Sequence, residues 1–482
     1  MIRRAYLLSS SLALGLVAPN LVRFALAPAA VVLAAALLSP RLALAIVLLV
    51  GGWWWGSLRL RELDRSALRP LVGTAGIAVL EVKEPPRIGR FDVRVRSTVL
   101  RWDGAREHEP VLLELPRGRR PPPPQGARLR VIGTLRAPPD DERDWLRFHG
   151  AHVVLCASTV RVLRVRGGLA DRLHAWLARA SAPGLDGERR AVIEGVVLGE
   201  DGGLSDGLRQ RFRASGLYHL LAVSGGNVIV VAGGAAGIAF LLGATRLVAE
   251  LAALGAIGGY VLAVGPQPSV LRAGVVGALG SLAWLTGRQR DRWYALLVAA
   301  IALLAWNPYT VRDPGFQLSF AAVAAIFTLA PRIERALEGY PVPKPVAQGV
   351  ALSTACGAAT APISWWHFHA VPLVTVPANL AAAPVVTPLL ALALLAAIVP
   401  PAGPLLAQLN GWCAWYLAGC ARFFGGLPGA QIRSPAAAAA LAAGLLLVAS
   451  YAWRRAAERA QARLPPARQR PSEDRARGAP AA

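Results

Sequence analysis

This chain of 482 residues has little charge. Asp, Glu, Lys and Arg make up 17% of it, against roughly a quarter of an average soluble protein. That is too little to coat several independent water-facing domains, although the length alone would allow them. Cysteine is scarce. Four cysteines cannot build a disulfide scaffold, and Cys156 is the only one between 66 and 166, so that stretch has no internal disulfide. Cys356, Cys413 and Cys420 fall in apolar runs, where they read as small packing residues. Lysine is almost missing, since Lys83 and Lys344 are the only two and the remaining basic residues are all arginine. None of the seven histidines belongs to an HExxH or a His-x-His-x-Asp-His cluster, so no metal site and no cofactor is expected. Ser224 with His219 lacks a placed acid and a nucleophile elbow, which argues against a serine hydrolase.

What the chain has is apolar residues, 55% of the total, which excludes disorder and points to a polytopic α-helical membrane protein. Apolar runs near 5–20, 24–39 and 42–57 predict three spans, with Trp53, Trp54 and Trp55 at the interfacial end of the third. Nine more are expected near 219–242, 247–264, 270–286, 291–306, 316–331, 346–366, 371–399, 404–424 and 434–453. Twelve spans in all follow. The 371–399 run carries four prolines and is read as two broken half-helices or one long span. The basic clusters at Arg246, Arg288 to Arg292, Arg332 with Arg335, and Arg454-Arg455 then fall on the cytoplasmic side, and both termini with them.

Between 66 and 166 no run can span. Short Val, Leu and Ile runs at 75–83, 90–102, 110–115, 127–136 and 152–165 read as strands of a small barrel, and a short helix is expected around Asp141–Phe148. Phe91, Val93 and Val95 alternate with Asp92, Arg94 and Arg96, the period of a half-buried strand. Arg128, Arg130, Arg161, Arg164 and Arg166 lie on later strands. Such arginines either solvate an exposed face or line a basic groove for single-stranded nucleic acid, with Phe91, Trp102, Trp145 and Phe148 as stacking rings or as core. The domains expected are therefore 1–58 (spans), 66–166 (barrel), 169–215 (amphipathic connector), 216–453 (spans) and 454–482, a basic disordered tail suited to anionic lipid.

Polar groups inside apolar spans are costly and so are functional candidates. The first group is Gly195 to Asp201, then Gly216-Leu-Tyr-His219 and Ser224-Gly225-Gly226-Asn227. The second is Pro268-Ser269-Val270-Leu271-Arg272-Ala273-Gly274. The third is Arg312-Asp313-Pro314-Gly315-Phe316-Gln317-Leu318-Ser319-Phe320, in which Asp313 is placed to cap a helix whereas Gln317 and Ser319 are not. Arg272, Asp313 and Gln317 are read as coordinating a phosphate chain or bracing one another. His367-Phe368-His369 beside Trp365-Trp366 reads as an interfacial anchor.

These three blocks, in this order, resemble the ComEC-type competence proteins, bacterial channels for DNA uptake. Pro138–Gly150 resembles a segment late in that family's outer domain. The resemblance spans about 5–453 and implies an OB-fold-like extracytoplasmic domain at 66–166 in a multi-pass protein of the cytoplasmic membrane. It implies a single-stranded DNA channel rather than an enzyme, with other competence proteins (a DNA receptor, a cytoplasmic helicase) or a second copy of the chain as partners. His219, Ser224, Gly225, Asn227, Arg272, Asp313, Gln317 and Ser319 would mark its path. Three departures stand out. Many relatives have histidine where this chain has Asn227, and the expected helix follows the fourth strand rather than the third. Many also carry a C-terminal metallo-β-lactamase-like domain that this sequence does not show, so cleavage is not expected of this polypeptide. A membrane enzyme acting on lipid or nucleic acid, and a transporter of another polyanion, are the alternatives.

Overall fold

The computed structural model describes residues 2–23, 40–84, 86–88, 92–116, 122–165, 167–265, 267–285 and 291–437, with a few positions between 439 and 450. The expected span at 24–39, most of the one at 434–453, the tail, Phe91, Arg166 and the Arg288–Arg290 cluster lie outside the described residues. Residues 1–431 form one compact unit and 432–482 a second.

Two apolar helices open the first unit, α1 (Ile2–Val17) and α2 (Pro40–Leu63). A Cβ on Gly15 would lie 2.1 Å from the Leu49 carbonyl oxygen, and one on Gly56 would lie 2.7 Å from the Pro19 ring. Contacts rise together along both helices, so the two run parallel and end on the same side.

The sheet domain follows. Its strands are β1 (Ala75–Val82), β2 (Arg87–Ile88), β3 (Asp92–Trp102), β4 (Ala105–Pro116), β5 (Ala127–Arg136) and β6 (Val154–Val165). β1 pairs antiparallel with both β5 and β3, β5 with β6, and β3 with β4, while β4 and β6 run parallel. The hydrogen-bonded neighbours thus run β1–β5–β6–β4–β3 and return to β1. Alternating side chains such as Val95, Leu113, Leu129, Val131 and Leu155 are fully buried and form the core of the domain. The short helix α3 (Asp140–Phe148) sits between β5 and β6, after the fourth long strand as the sequence pattern required.

Residues 169–215 form α4 (Leu169–Ala180), α5 (Gly187–Leu198) and α6 (Asp206–Ser215). α5 buries Ala191, Val192, Ile193 and Val196 to Leu198, and with Phe212 of α6 they form the centre of the helical core. The remaining helices are α7 (Gly225–Leu241), α8 (Arg246–Val264), α9 (Pro268–Leu285), α10 (Arg292–Trp306), α11 (Pro314–Thr328), α12 (Ala330–Leu337), α13 (Lys344–Phe368), α14 (Thr375–Ile398) and α15 (Gly403–Gly426). The long apolar run is one continuous helix, α14, not two halves: Pro384 and Pro388 lie inside it.

Among the described residues five helices are long and apolar enough to cross a membrane, and α11 with α12, bent by 42°, makes a sixth. Segments of α1, α9 and α10 are apolar but shorter. α15 has 24 residues but carries Gln408, Asn410 and Arg422 and is not among the five. The chain is therefore a membrane protein with a sheet domain.

One carboxylate ties that domain to the helices. Asp64, just past α2, accepts from Arg147 of α3 at 2.7 and 2.9 Å, from the Tyr309 hydroxyl at 2.9 Å and from Arg23. Phe148 stacks on Tyr309 at 4.9 Å, and Asn307 donates to the Phe148 carbonyl. Arg312 donates to the Asn20 carbonyl, which brings the end of α1 to the same place. Burial alone would raise the Asp64 pKa, but the three donors hold it down near 2. A lowered carboxylate pKa stabilises above the unfolded value of about 3.8 and loses that contribution as pH falls through the folded value. Asp64→Asn is expected to cost about 2 kcal/mol and to expose the linker between α2 and β1 to protease at neutral pH. The wild type should show the same cleavage only as pH falls toward 2. Equal resistance of both proteins at neutral pH would show that the junction does not depend on Asp64.

Candidate functional site

The first motif block is built around the end of α5. The last carbonyls of a helix lack partners within it, and here two side chains supply them. Asn227, 6% exposed, donates from Nδ2 to the Val196 carbonyl at 2.7 Å, and the Tyr260 hydroxyl of α8 donates to that of Val197 at 2.7 Å. Ser224 in turn donates to Asn227 Oδ1 at 3.0 Å. Its hydroxyl therefore does not cap α7, which begins at Gly225 with no side-chain cap on its first-turn amides. Ser269 donates to the Val223 carbonyl at 2.6 Å and so pins the start of α9 beside the start of α7.

Arg272 lies one turn further into α9. It is 8% exposed, and its Nη1 is fully enclosed without a hydrogen-bond partner. Its guanidinium carbon is 5.8 Å from the Phe320 ring centre, and Nη2 lies 3.6 Å from where a Cβ on Gly225 would stand. One residue from each of the three blocks thus meets here.

Other residues expected at the site are elsewhere. Asp313 caps α11 by accepting from the Phe316 amide at 3.0 Å. Gln317 donates to the Val311 carbonyl at 2.8 Å and accepts from His367 Nε2 at 2.9 Å. Neither Asp313 nor Gln317 hydrogen-bonds Arg272, so the three do not form one cluster. His367 is not simply an interfacial anchor, because it fixes the first turn of α11. Ser319 is half-buried without a side-chain hydrogen bond among the described residues. His219 is exposed and its Nδ1 meets the Gly216 carbonyl at 2.8 Å. Among the described residues no group of three His, Cys, Asp or Glu side chains could hold a metal ion.

The strand arginines divide into two sets. Arg94 pairs with Asp92 at 2.7 Å and with Glu142, and Arg96 pairs with Glu84 and lies over the Trp145 ring. Both are neutralised within the domain. On β5 and β6, Arg128 stands opposite Arg164 and Arg130 opposite Arg161, and a bulge between the two pairs keeps all four on one face. Arg128 has Glu81 at 3.5 Å, while the other three are exposed with no ion pair among the described residues. Of the expected rings, Trp102 is buried in the domain core and Phe148 is spent on Tyr309.

Two participants were not legible in the sequence. Tyr260 sits in an apolar run with no local polar signal. His174 of α4 is buried, with Nδ1 2.8 Å from the Ala263 carbonyl and Nε2 2.7 Å from Glu200 Oε1. Both partners are acceptors, an arrangement that favours the doubly protonated ring. Burial opposes that charge, but Glu200 outweighs it and the pKa is raised.

Residues 196–457 match the family model described as Competence protein, which covers more than half of the chain. No curated protein and no solved structure matches the chain. Helices of membrane-crossing length beside a sheet domain define a class, a membrane protein with an attached soluble domain. Within that class the chain belongs to the competence protein family, whose role is in DNA uptake for transformation.

A raised histidine pKa stabilises fully below the unfolded value of about 6.5, and that contribution is lost as pH rises through the folded value. The thermal midpoint of the purified protein should therefore fall as the pH rises above 6.5, and the fall should vanish in His174→Gln. Parallel curves for the two proteins would show that this ion pair does not act.

Proposed function

We propose that the chain carries single-stranded DNA across the cytoplasmic membrane, with residues 66–166 as an OB-fold-like barrel outside, 216–453 as the channel region and both termini inside. The ring of strand pairings, with β4 parallel to β6, supports the barrel reading. The observation that carries the function is an arginine face on which Arg130, Arg161 and Arg164 have no ion pair among the described residues, on a domain joined through Asp64 to helices of the competence family. Like charges directly opposite one another on a sheet repel. Phosphates arriving along a single strand remove that cost and release their own counterions. The motif residues His219, Ser224, Gly225, Asn227, Arg272, Asp313, Gln317 and Ser319 then lie along or brace the path beneath.

In a strain lacking the chain, its re-introduction should restore entry of labelled DNA, and Gln317→Ala should lower entry by an order of magnitude while the protein stays in the membrane. Normal entry in the deletion strain would favour a different polyanion as cargo. For the outer face, a charge reversal at Arg130 should lower the affinity of the full-length protein for oligothymidine. It should also flatten the dependence of log affinity on log salt by about 0.7, the value for one phosphate of a single strand. An unchanged slope would take the β5–β6 face out of the DNA path.

A further inference from the structure

We propose that Arg272 and the amino end of α7 together form a fixed phosphate-binding station, and that its occupant is a phosphodiester of the passing strand. This rests on the DNA-translocation reading above and adds a defined contact point to it. The argument begins with an electrostatic conflict. Arg272 is 8% exposed, yet no described residue accepts a hydrogen bond from its guanidinium, and Nη1 is closed off altogether. A guanidinium has five donors and is always charged, so leaving it buried without an acceptor is costly. Phe320 offers its ring face, which attracts a cation but supplies no lone pair for those donors.

The other neighbour makes the conflict sharper. Helix α7 is 17 residues long, and its amino end, with the partial positive charge of its unpaired amides, faces Arg272 Nη2. A cation belongs at a helix's carboxyl end, not here. Ser224, the residue placed to cap those amides, turns its hydroxyl to Asn227 instead. No carboxylate among the described residues pairs with Arg272: Asp313 caps α11 and Glu250 accepts from Ser281 at 2.9 Å. An arginine fork and a helix amino end, both without an acceptor and set against each other, make a stable arrangement around an anion between them. Gly225 brings the backbone of this helix end close to the fork: a Cβ there would stand 3.6 Å from Nη2 and 3.6 Å from the Ala273 Cβ. The planar fork matches the geometry of phosphate, and the phosphodiester of DNA is the phosphate that the proposed cargo carries past this point.

The test uses the full-length protein in nanodiscs of zwitterionic lipid, with fluorescent oligothymidine as probe and a salt titration for each variant. Arg272→Gln is expected to weaken binding at least about tenfold and to lower the salt slope by about 0.7. Arg272→Lys should keep the slope, because it keeps the charge, while losing part of the affinity. Gly225→Pro is the second variant. Proline suits the first position of a helix and the extended Ser224 before it, so it removes one amide donor without disturbing α7. It should weaken binding with the salt slope unchanged. Wild-type affinity and slope in both Arg272→Gln and Gly225→Pro would overturn the station while leaving the translocation reading intact. Failure of the wild type to bind the oligonucleotide at low salt would overturn that reading and the station with it. Adding phosphatidylglycerol to the nanodiscs separates the sources. Competition that disappears in Arg272→Gln would assign the site to a lipid headgroup and overturn the DNA assignment.

Discussion

A charge withdrawn from water must find an opposite charge, an oriented dipole or a way back to solvent. That requirement organises this protein more than any other. Asp64 meets it with donors from three segments, and in doing so holds α1, α2, α3 and the turn before α11 in one place. His174 meets it by lying between a carboxylate and a carbonyl, which locks α4 to the loop after α5 and to the end of α8. Arg272 is the exception. Its guanidinium has an aromatic face and a helix amino end for company, and neither accepts a hydrogen bond.

The polar residues of the motif blocks accordingly fall into two kinds. Asn227, Ser269, Asp313 and Gln317, with Tyr260 and His367 from outside the blocks, have their hydrogen bonds spent on backbone groups or on each other. They satisfy helix ends that an apolar medium would otherwise leave unpaired, and they hold the frame. Arg272 and the first two amides of α7 have capacity left over, since the third, of Asn227, donates to the Ser224 carbonyl. A frame built from the first kind is what keeps the second kind open, because a mobile helix end would close on itself or draw in a neighbouring side chain.

The sheet domain shows the same division. Arg94 and Arg96 spend their charge on Asp92, Glu142 and Glu84, and so stabilise the fold. The arginines of β5 and β6 face one another across the ladder, where repulsion makes them a liability to the fold. A fold tolerates such a face most easily where something anionic comes to meet it.

Much of this was legible in one dimension. Period-two alternation placed the long strands within a few residues, and a proline after Asp313 marked the start of α11 with its cap. Long apolar runs pointed to a membrane protein, because burial in lipid demands length and hydropathy, and five or six of the helices among the described residues meet that demand. The run at 371–399 admits one long span or two half-helices on sequence alone, and packing decides for one. Proline breaks an isolated helix, but inside a packed bundle the neighbours stabilise the segment enough to keep α14 continuous. Apolar residues at helical spacing mark 169–215 as an amphipathic connector, while the burial of α5 shows only once the helices are packed.

What the amino-acid order determined by itself was therefore the set of elements, the sidedness of each strand and the candidates for chemistry. Which arginines are neutralised, which amides stay uncapped and which histidine meets a carboxylate depended in part on distant residues, 48 positions away for Arg94 with Glu142, 89 for His174 with the Ala263 carbonyl and 245 for Tyr309 with Asp64. A hydrogen bond acts over about 3 Å of space and takes no account of distance along the chain, so only the tertiary structure could decide them.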